Sequence, residues 1–184
     1  MQRVDVRARM VEGAARLLAI NGVEGTSFAE VLAATDSPRG SVYHHFPGGK
    51  SEMVHAALDL ASDRGLAAME DSRGQPAAAV VERFLDLWRS LLDRSKLSAG
   101  CAVLAVTVAA NDAALLDHAG AIFRAWTDRL TDLFTVGGMT KGAARQLAVT
   151  VVAATEGAVA LSRAERSREP FDQVATTLRT LASP

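Results

Sequence analysis

Between residues 5 and 20 the apolar side chains Met10, Ala14, Leu17 and Leu18 recur at i, i+4, i+7 and i+8. One stripe at that spacing predicts an amphipathic helix. Asn21-Gly22 then supplies a stop, since either residue accepts the left-handed conformation that ends helices. In TSFAEVLAAT, Ser27 and Glu30 stand at capping-box spacing, and Phe28, Val31 and Leu32 form an apolar face. They predict a short second helix ending near Ala34 or Thr35. Ser37 is a good N-cap and Pro38 suits a first helical position, so a third helix is predicted from Pro38 to about His45. Val42 and Phe46, four apart, turn toward the first two helices. Arg39, Gly40, Ser41, Tyr43 and His44 stay outside. Two short helices about three residues apart have helix-turn-helix spacing.

Pro47-Gly48-Gly49 breaks the pattern, and a long helix is predicted from Lys50 to Met69. Gly74-Gln75-Pro76 reads as a linker. Residues 77–94 carry a wide apolar side that includes Val80, Val81, Phe84, Leu85, Trp88 and Leu92. Gly100 to Ala110 is rich in Ala and Val and is expected to be buried. Long helices follow over 112–136 and 140–166, separated by Gly137-Gly138, and a last one runs from about Pro170 to Leu181. Arg168-Glu169-Pro170 is a break between the final two. The expected fold is all-α: a helix-turn-helix domain over residues 1–50, then a helical bundle over 51–184.

The chain has 184 residues, 49% of them hydrophobic and 22% charged, so a core can form without metal or disulfide staples. Strand-like alternation is scarce, which agrees with helices. The net charge of −1 counts mildly against a nucleic-acid binder. Within residues 1–55 the six Lys and Arg residues stand against six Asp and Glu residues. Any positive surface must therefore come from placement. Cys101 is the only cysteine, which forbids an intrachain disulfide and suits a reducing compartment. The charged N-terminus lacks the apolar run of a signal peptide, and Gly100 to Ala110 is too short to span a bilayer. A cytoplasmic protein without membrane partners is expected.

The chemistry concentrates in SPRGSVYHHFPGGK, from Ser37 to Lys50. A helix opening at Ser37-Pro38 presents its first turn to base edges in a major groove. Arg39 is the candidate for bidentate bonding to guanine. Gly40 permits close backbone approach, and Ser41 reaches a base or a phosphate. Tyr43 and His44 carry polar tips on stiff rings, suited to phosphate oxygens. Lys50 adds a cation at the next helix start. Thr26 and Ser27 offer amides and hydroxyls at the start of the second helix. Ordinary surface is the competing reading for Tyr43 and His44. Adjacent histidines on a helix point about 100° apart, so His44 and His45 do not chelate a metal together. Asp112, Asp117 and His118 do not share one helix face either, and no cofactor or metal is expected.

The stretch ARLLAINGVEGTSFAEVLAATDSPRGSVYHHFPGGKSEMV resembles the N-terminal signature of TetR-family transcriptional regulators. The resemblance rests on Gly22, on Thr26-Ser27, and on Gly40, Tyr43 and Phe46. The forms SPRGSVYHHFPGGK and EGAVALSRAERSREPFDQV are similar to the LmrA/YxaF-like subgroup. Two departures stand out. Three residues separate Phe46 from Lys50, one more than in many relatives, which bears on the phosphate role of Lys50. Gly100-Cys101-Ala102 stands where the subgroup often has Gly-Cys-Pro. The arm before residue 5 is short for minor-groove contacts.

The resemblance implies a homodimer on a palindromic double-stranded operator, released by a small-molecule effector. It places the dimer interface on the last two long helices, here with Ala153, Ala154, Gly157, Ala158 and Leu161 as a small-residue surface. A monomer core explains the same pattern. The effector would lie among the bundle helices, with Phe84, Trp88, Cys101, Thr107, His118, Phe123, Trp126 and Thr155 as candidate contacts. Each also serves plain core packing. Their apolar balance suits a hydrophobic or aromatic effector. Cys101 sits in an apolar segment without a neighbouring base, the setting of an inert thiol. No nucleophile elbow, phosphate-binding loop, dinucleotide fingerprint or zinc-helix motif appears, which argues against an enzyme. A ligand-binding module that has lost DNA binding is the remaining alternative.

Overall fold

The computed structural model describes residues 5–183, and every element among them is helical or a turn. In chain order the helices are α1 (Val6–Asn21), α2 (Phe28–Thr35), α3 (Ser41–His45), α4 (Gly49–Glu70), α5 (Ala77–Ser95), α6 (Ala102–Ala109), α7 (Ala113–Val136), α8 (Lys141–Glu165) and α9 (Glu169–Ala182). They divide into two compact units. The first takes the chain up to Ser62 together with Cys101–Gly120; the second takes Asp63–Gly100 and the chain from Ala121 onward. Both α4 and α7 therefore have residues in each unit. The short arm before residue 5 lies outside the described residues.

The first unit is built on the stripe read from the sequence. Met10, Ala14 and Leu18 of α1 are fully buried with Val31, Val42, Phe46, Met53 and Leu58. Asp5 caps α1 by accepting the Arg7 amide, and Gly22 ends it at a φ of +70°. α1 packs on α2 and α6. At Gly13 an added Cβ would overlap Cγ2 of Thr35 on α2. Arg7 lies over the Phe46 ring, 5.2 Å from its centroid, a cation–π contact that ties the α1 start to the residue after α3.

Two expectations need correction. The third helix begins at Ser41, not Pro38. Asp36 takes the left-handed conformation after α2, and the Ser37 hydroxyl is drawn back to Thr35, 2.9 Å away, instead of capping α3. The Pro38 carbonyl then accepts the Ser41 amide (3.0 Å) and hydroxyl (2.6 Å), an i to i+3 turn that leads into the helix. The apolar segment Gly100 to Ala110 is buried only in its first half. Val103 and Val106 are enclosed, whereas Thr107 and Ala109 are exposed and Val108 is 75% exposed.

In the second unit α9 lies along α8, and α5 packs on both. Leu85, Leu92, Leu130, Leu133, Phe134 and Phe171 are fully buried there. Ser162 accepts the Phe171 amide at 3.2 Å and fixes the corner between α8 and α9. Glu82 of α5 receives Nε of Arg179 from α9 at 2.6 Å, and Asp93 receives Arg168 at 2.9 Å. Among the described residues α8 alone is long and apolar enough to cross a bilayer. Its apolar positions Leu147, Val151, Val152 and Val159 are buried in the second unit.

Candidate nucleic-acid interface

The turn before α3 and the outer side of the helix are exposed on the first unit. Arg39, Gly40, Tyr43 and His44 are exposed, and a side chain at Gly40 would meet only open space. Val42 and Phe46, 1% and 0% exposed, anchor the helix from beneath. Tyr43 is 72% exposed and held in place edge-on against Phe28, with ring centroids 5.9 Å apart. Its hydroxyl is thus presented on a ring that α2 supports. His44 meets His45 edge to face at 5.1 Å. Ser41 is half-buried and its hydroxyl donates to Pro38, leaving the oxygen lone pairs for an incoming donor.

Three predicted contacts carry internal duties. Thr26 is fully buried, its hydroxyl donating to the Gly22 carbonyl at 2.8 Å and its amide to Val23 at 3.2 Å. The hydroxyl expected to meet a phosphate therefore closes the turn between α1 and α2. Ser27 completes the capping box: its hydroxyl accepts the Glu30 amide (3.2 Å), and its own amide donates to the Glu30 carboxylate (2.7 Å). Those Ser27 bonds, amide first and hydroxyl second, hold Glu30 below the usual carboxylate range, and Lys50 adds to the effect. Lys50 itself donates to the Val23 carbonyl at 2.8 Å, joining the α4 start to the turn after α1. Two of its ammonium hydrogens remain for another acceptor. Ser37 and Pro38 stand in the turn before α3.

Sequence reading passed over three residues that shape this surface. Gly13 sets the approach of α1 to α2, and a lone glycine inside a helical pattern was its signal. Arg16 donates to the Ala34 carbonyl at the end of α2, 3.4 Å away. Glu52 accepts the Gly48 amide at 2.8 Å and orders the PGG turn.

The remaining candidates fall in different places. Cys101, Thr107 and His118 belong to the first unit, and Phe84, Trp88, Phe123, Trp126 and Thr155 to the second. Cys101 is buried and N-caps α6, its sulfur accepting the Leu104 amide. Thr107 bonds the Val103 carbonyl on its own helix. His118 bridges to His55 and Asp59 of α4. On α8, Ala153, Gly157 and Leu161 face outward with Val149, and Ala154 is half-buried. Ala158 is 1% exposed and packs inside its own unit, so it offers no surface to a second chain. Four-residue steps put 149, 153, 157 and 161 on one face and turn 158 away from it.

Two short helices anchored on the core by Val31 and Val42, with the start of the second exposed, as in α2 and α3, have the arrangement of the helix-turn-helix of DNA-binding regulators. Residues 10–57 match the family of bacterial regulatory proteins named for TetR. Residues 76–177 match the C-terminal domain of LmrA/YxaF-like transcriptional regulators. An uncharacterized HTH-type transcriptional regulator of Mycobacterium tuberculosis is 34% identical over 182 residues, covering 95% of this chain and 93% of the relative. The HTH-type transcriptional regulator LmrA of Bacillus subtilis is 22% identical, with 96% of each chain covered. The crystal structure of a TetR regulator from Legionella pneumophila superposes with a TM-score of 0.89 over 100% of both chains at 19% identity, a likeness of fold. The chain belongs to the TetR family of transcriptional regulators, in its LmrA/YxaF-like branch.

Proposed function

We propose that this protein is a ligand-responsive repressor that binds a palindromic operator as a homodimer in the cytoplasm and is released by a small hydrophobic effector. The observation that carries the DNA-binding part is the exposed α3 turn. Arg39 in the turn before α3, and Tyr43 and His44 on the helix, are exposed, while Val42 and Phe46 lock the other side. Arg39 reads a base, Ser41, Tyr43 and His44 hold phosphates, and Lys50 contributes a further phosphate contact while tethered to Val23. One five-residue helix reads too few bases for specificity. A twofold dimer sets two such helices about 34–36 Å apart, one turn of the duplex.

A second copy is supported by the outward face of α8 and α9. Val149, Leu161 and Leu181 are 47%, 52% and 55% exposed, and Ala153 and Gly157 between the first two keep that face low and uncharged. Effector binding favours a spacing of the two DNA-reading units that no longer matches successive grooves. One covalent link for that coupling is α4, which begins in the first unit and ends in the second. Selection of bound sequences from a random DNA pool at moderate salt tests the reading. An inverted repeat is the expected outcome; folded protein that enriches nothing would remove the DNA-binding role.

A further inference from the structure

Three polar contacts of the first unit join one face of α4 to the segment 112–118 at the start of α7. Ser51, His55 and Asp59 stand at four-residue steps on α4. The Ser51 hydroxyl reaches Asp112 at 3.4 Å, Nδ1 of His55 lies 2.6 Å from Nδ1 of His118, and Asp59 accepts Nε2 of His118 at 2.8 Å. The two imidazoles stack with centroids 4.7 Å apart and planes 28° apart. All five residues belong to the first unit. Charge around the rings is one-sided. Residues 51–59 and 112–118 contain the carboxylates Glu52, Asp59, Asp112 and Asp117 and no Lys or Arg. Glu52 is engaged with the Gly48 amide, and Asp117 is exposed. α6 has no charged side chain. Three cations of the unit are engaged elsewhere: Arg7 at Phe46 and Glu52, Arg16 at Ala34, and Lys50 at Val23.

A neutral imidazole carries hydrogen on one nitrogen and a protonated one on both. One hydrogen between the facing Nδ1 atoms makes a bond. A first added proton can sit on Nε2 of His55 with that bond intact. A second cannot. When both rings are protonated every nitrogen carries a hydrogen, and two cationic donors face each other across a gap of 2.6 Å that only a hydrogen bond allows.

We propose that the His55–His118 pair is a pH-sensitive latch between α4 and α7 within the first unit, closed while the two Nδ1 atoms share one hydrogen and opened by acid when each must carry its own. The latch holds the start of α4. There Lys50 bonds the Val23 carbonyl, and Glu52 bonds the Gly48 amide in the turn that follows α3. Opening the latch loosens that footing of α3 and weakens the hold on DNA. This last step rests on the DNA-binding reading above; the latch itself does not.

The test follows urea denaturation of the full chain and of His55→Phe from about pH 8 to about pH 5, the range in which histidine changes charge. Phenylalanine keeps a ring against His118 and removes the facing nitrogen. A closed latch binds one proton fewer than the unfolded chain, so its contribution to stability falls as pH falls below about 6.5, the ordinary histidine value. The parent's folding constant should then drop up to about tenfold more per pH unit than the variant's, the factor that one proton contributes. Parallel curves overturn the latch. If the variant does not fold, the parent decides alone. Its ring-nitrogen resonances should show His55 and His118 reaching full protonation together with loss of the ring-to-ring nuclear Overhauser effects. Both rings fully protonated with that contact intact overturns the proposal. Operator affinity is read at the same pH values. His44 and His45 are present in both proteins, so their protonation cancels in the comparison, and the parent should lose more affinity in acid than His55→Phe does. Equal losses refute the effect on DNA while the stability curves decide the latch. Protein that selects no operator refutes the DNA-binding reading, and the latch again stands or falls on its stability curves.

Discussion

Nδ1 of His55 on α4 lies 2.6 Å from Nδ1 of His118 on α7, and Nε2 of His118 lies 2.8 Å from Asp59. The rings stack at 4.7 Å. A carboxylate only accepts, so His118 donates to Asp59 from Nε2, and one of the two facing Nδ1 atoms donates to the other. The three groups join two helices within the first unit. His55→Phe and His118→Phe should each destabilise by about 1–2 kcal/mol, and the double variant should lose little more than either single one. Chemical denaturation of the four proteins measures this; additive losses would show that the pair is not coupled.

Arg39→Ala should relax base preference at one position of each half-site at a cost of roughly 1–3 kcal/mol. Tyr43→Phe keeps the ring against Phe28 and removes only the hydroxyl, so it should weaken binding to all sequences about equally. Affinity measured across single-base operator variants separates the two patterns.

Thr26→Val removes a buried hydroxyl and strands the Gly22 carbonyl. A loss of about 1–3 kcal/mol in stability is expected, with base preference unchanged in the folded fraction. Altered base preference in this variant would restore Thr26 to the DNA-reading surface.

Gly13→Ala ought to stabilise an isolated helix by up to about 1 kcal/mol. In this fold the added methyl overlaps Thr35 Cγ2, and overpacking of this kind costs about 1–3 kcal/mol. Thr35→Ser deletes that Cγ2 while keeping the hydroxyl that bonds Val31 and Ser37. The double variant should therefore recover most of the loss in thermal melts.

Arg179 first, then Arg89, holds Glu82 below the usual carboxylate range. A carboxylate lowered in the folded state contributes stability above its unfolded range and loses it as pH falls through the folded value. Glu82→Gln should lower the melting temperature near neutral pH and narrow its difference from the parent in acid. A gap that stays constant down the acid limb would show the pair to be energetically silent.

Helix existence and type were legible because each long element carries an uninterrupted apolar face and each break carries Gly, Pro or a capping residue. Ser27–Glu30 is the clearest case, since its capping box depends on four neighbouring residues alone. The start of α3 was misread for the converse reason. Ser37 and Pro38 have good local credentials, but the left-handed Asp36 and the Thr35 hydroxyl redirect the chain. Thr26 and Lys50 were legible as polar groups near the site, yet their partners, Gly22 and Val23, are backbone carbonyls. Side-chain spelling says nothing of a carbonyl's direction. The His55–His118 pair spans 63 residues of sequence and left no local trace.

The capping box at α2 has a consequence for traffic on the chromosome. Glu30 keeps a carboxylate of the protein's own at a helix start that would otherwise welcome any phosphate. With cations and carboxylates balanced through this region, arbitrary duplex finds little to hold. If α3 reads an operator, this balance lowers the hold of the about 10⁶–10⁹ competing genomic positions, and fewer copies are needed to occupy it.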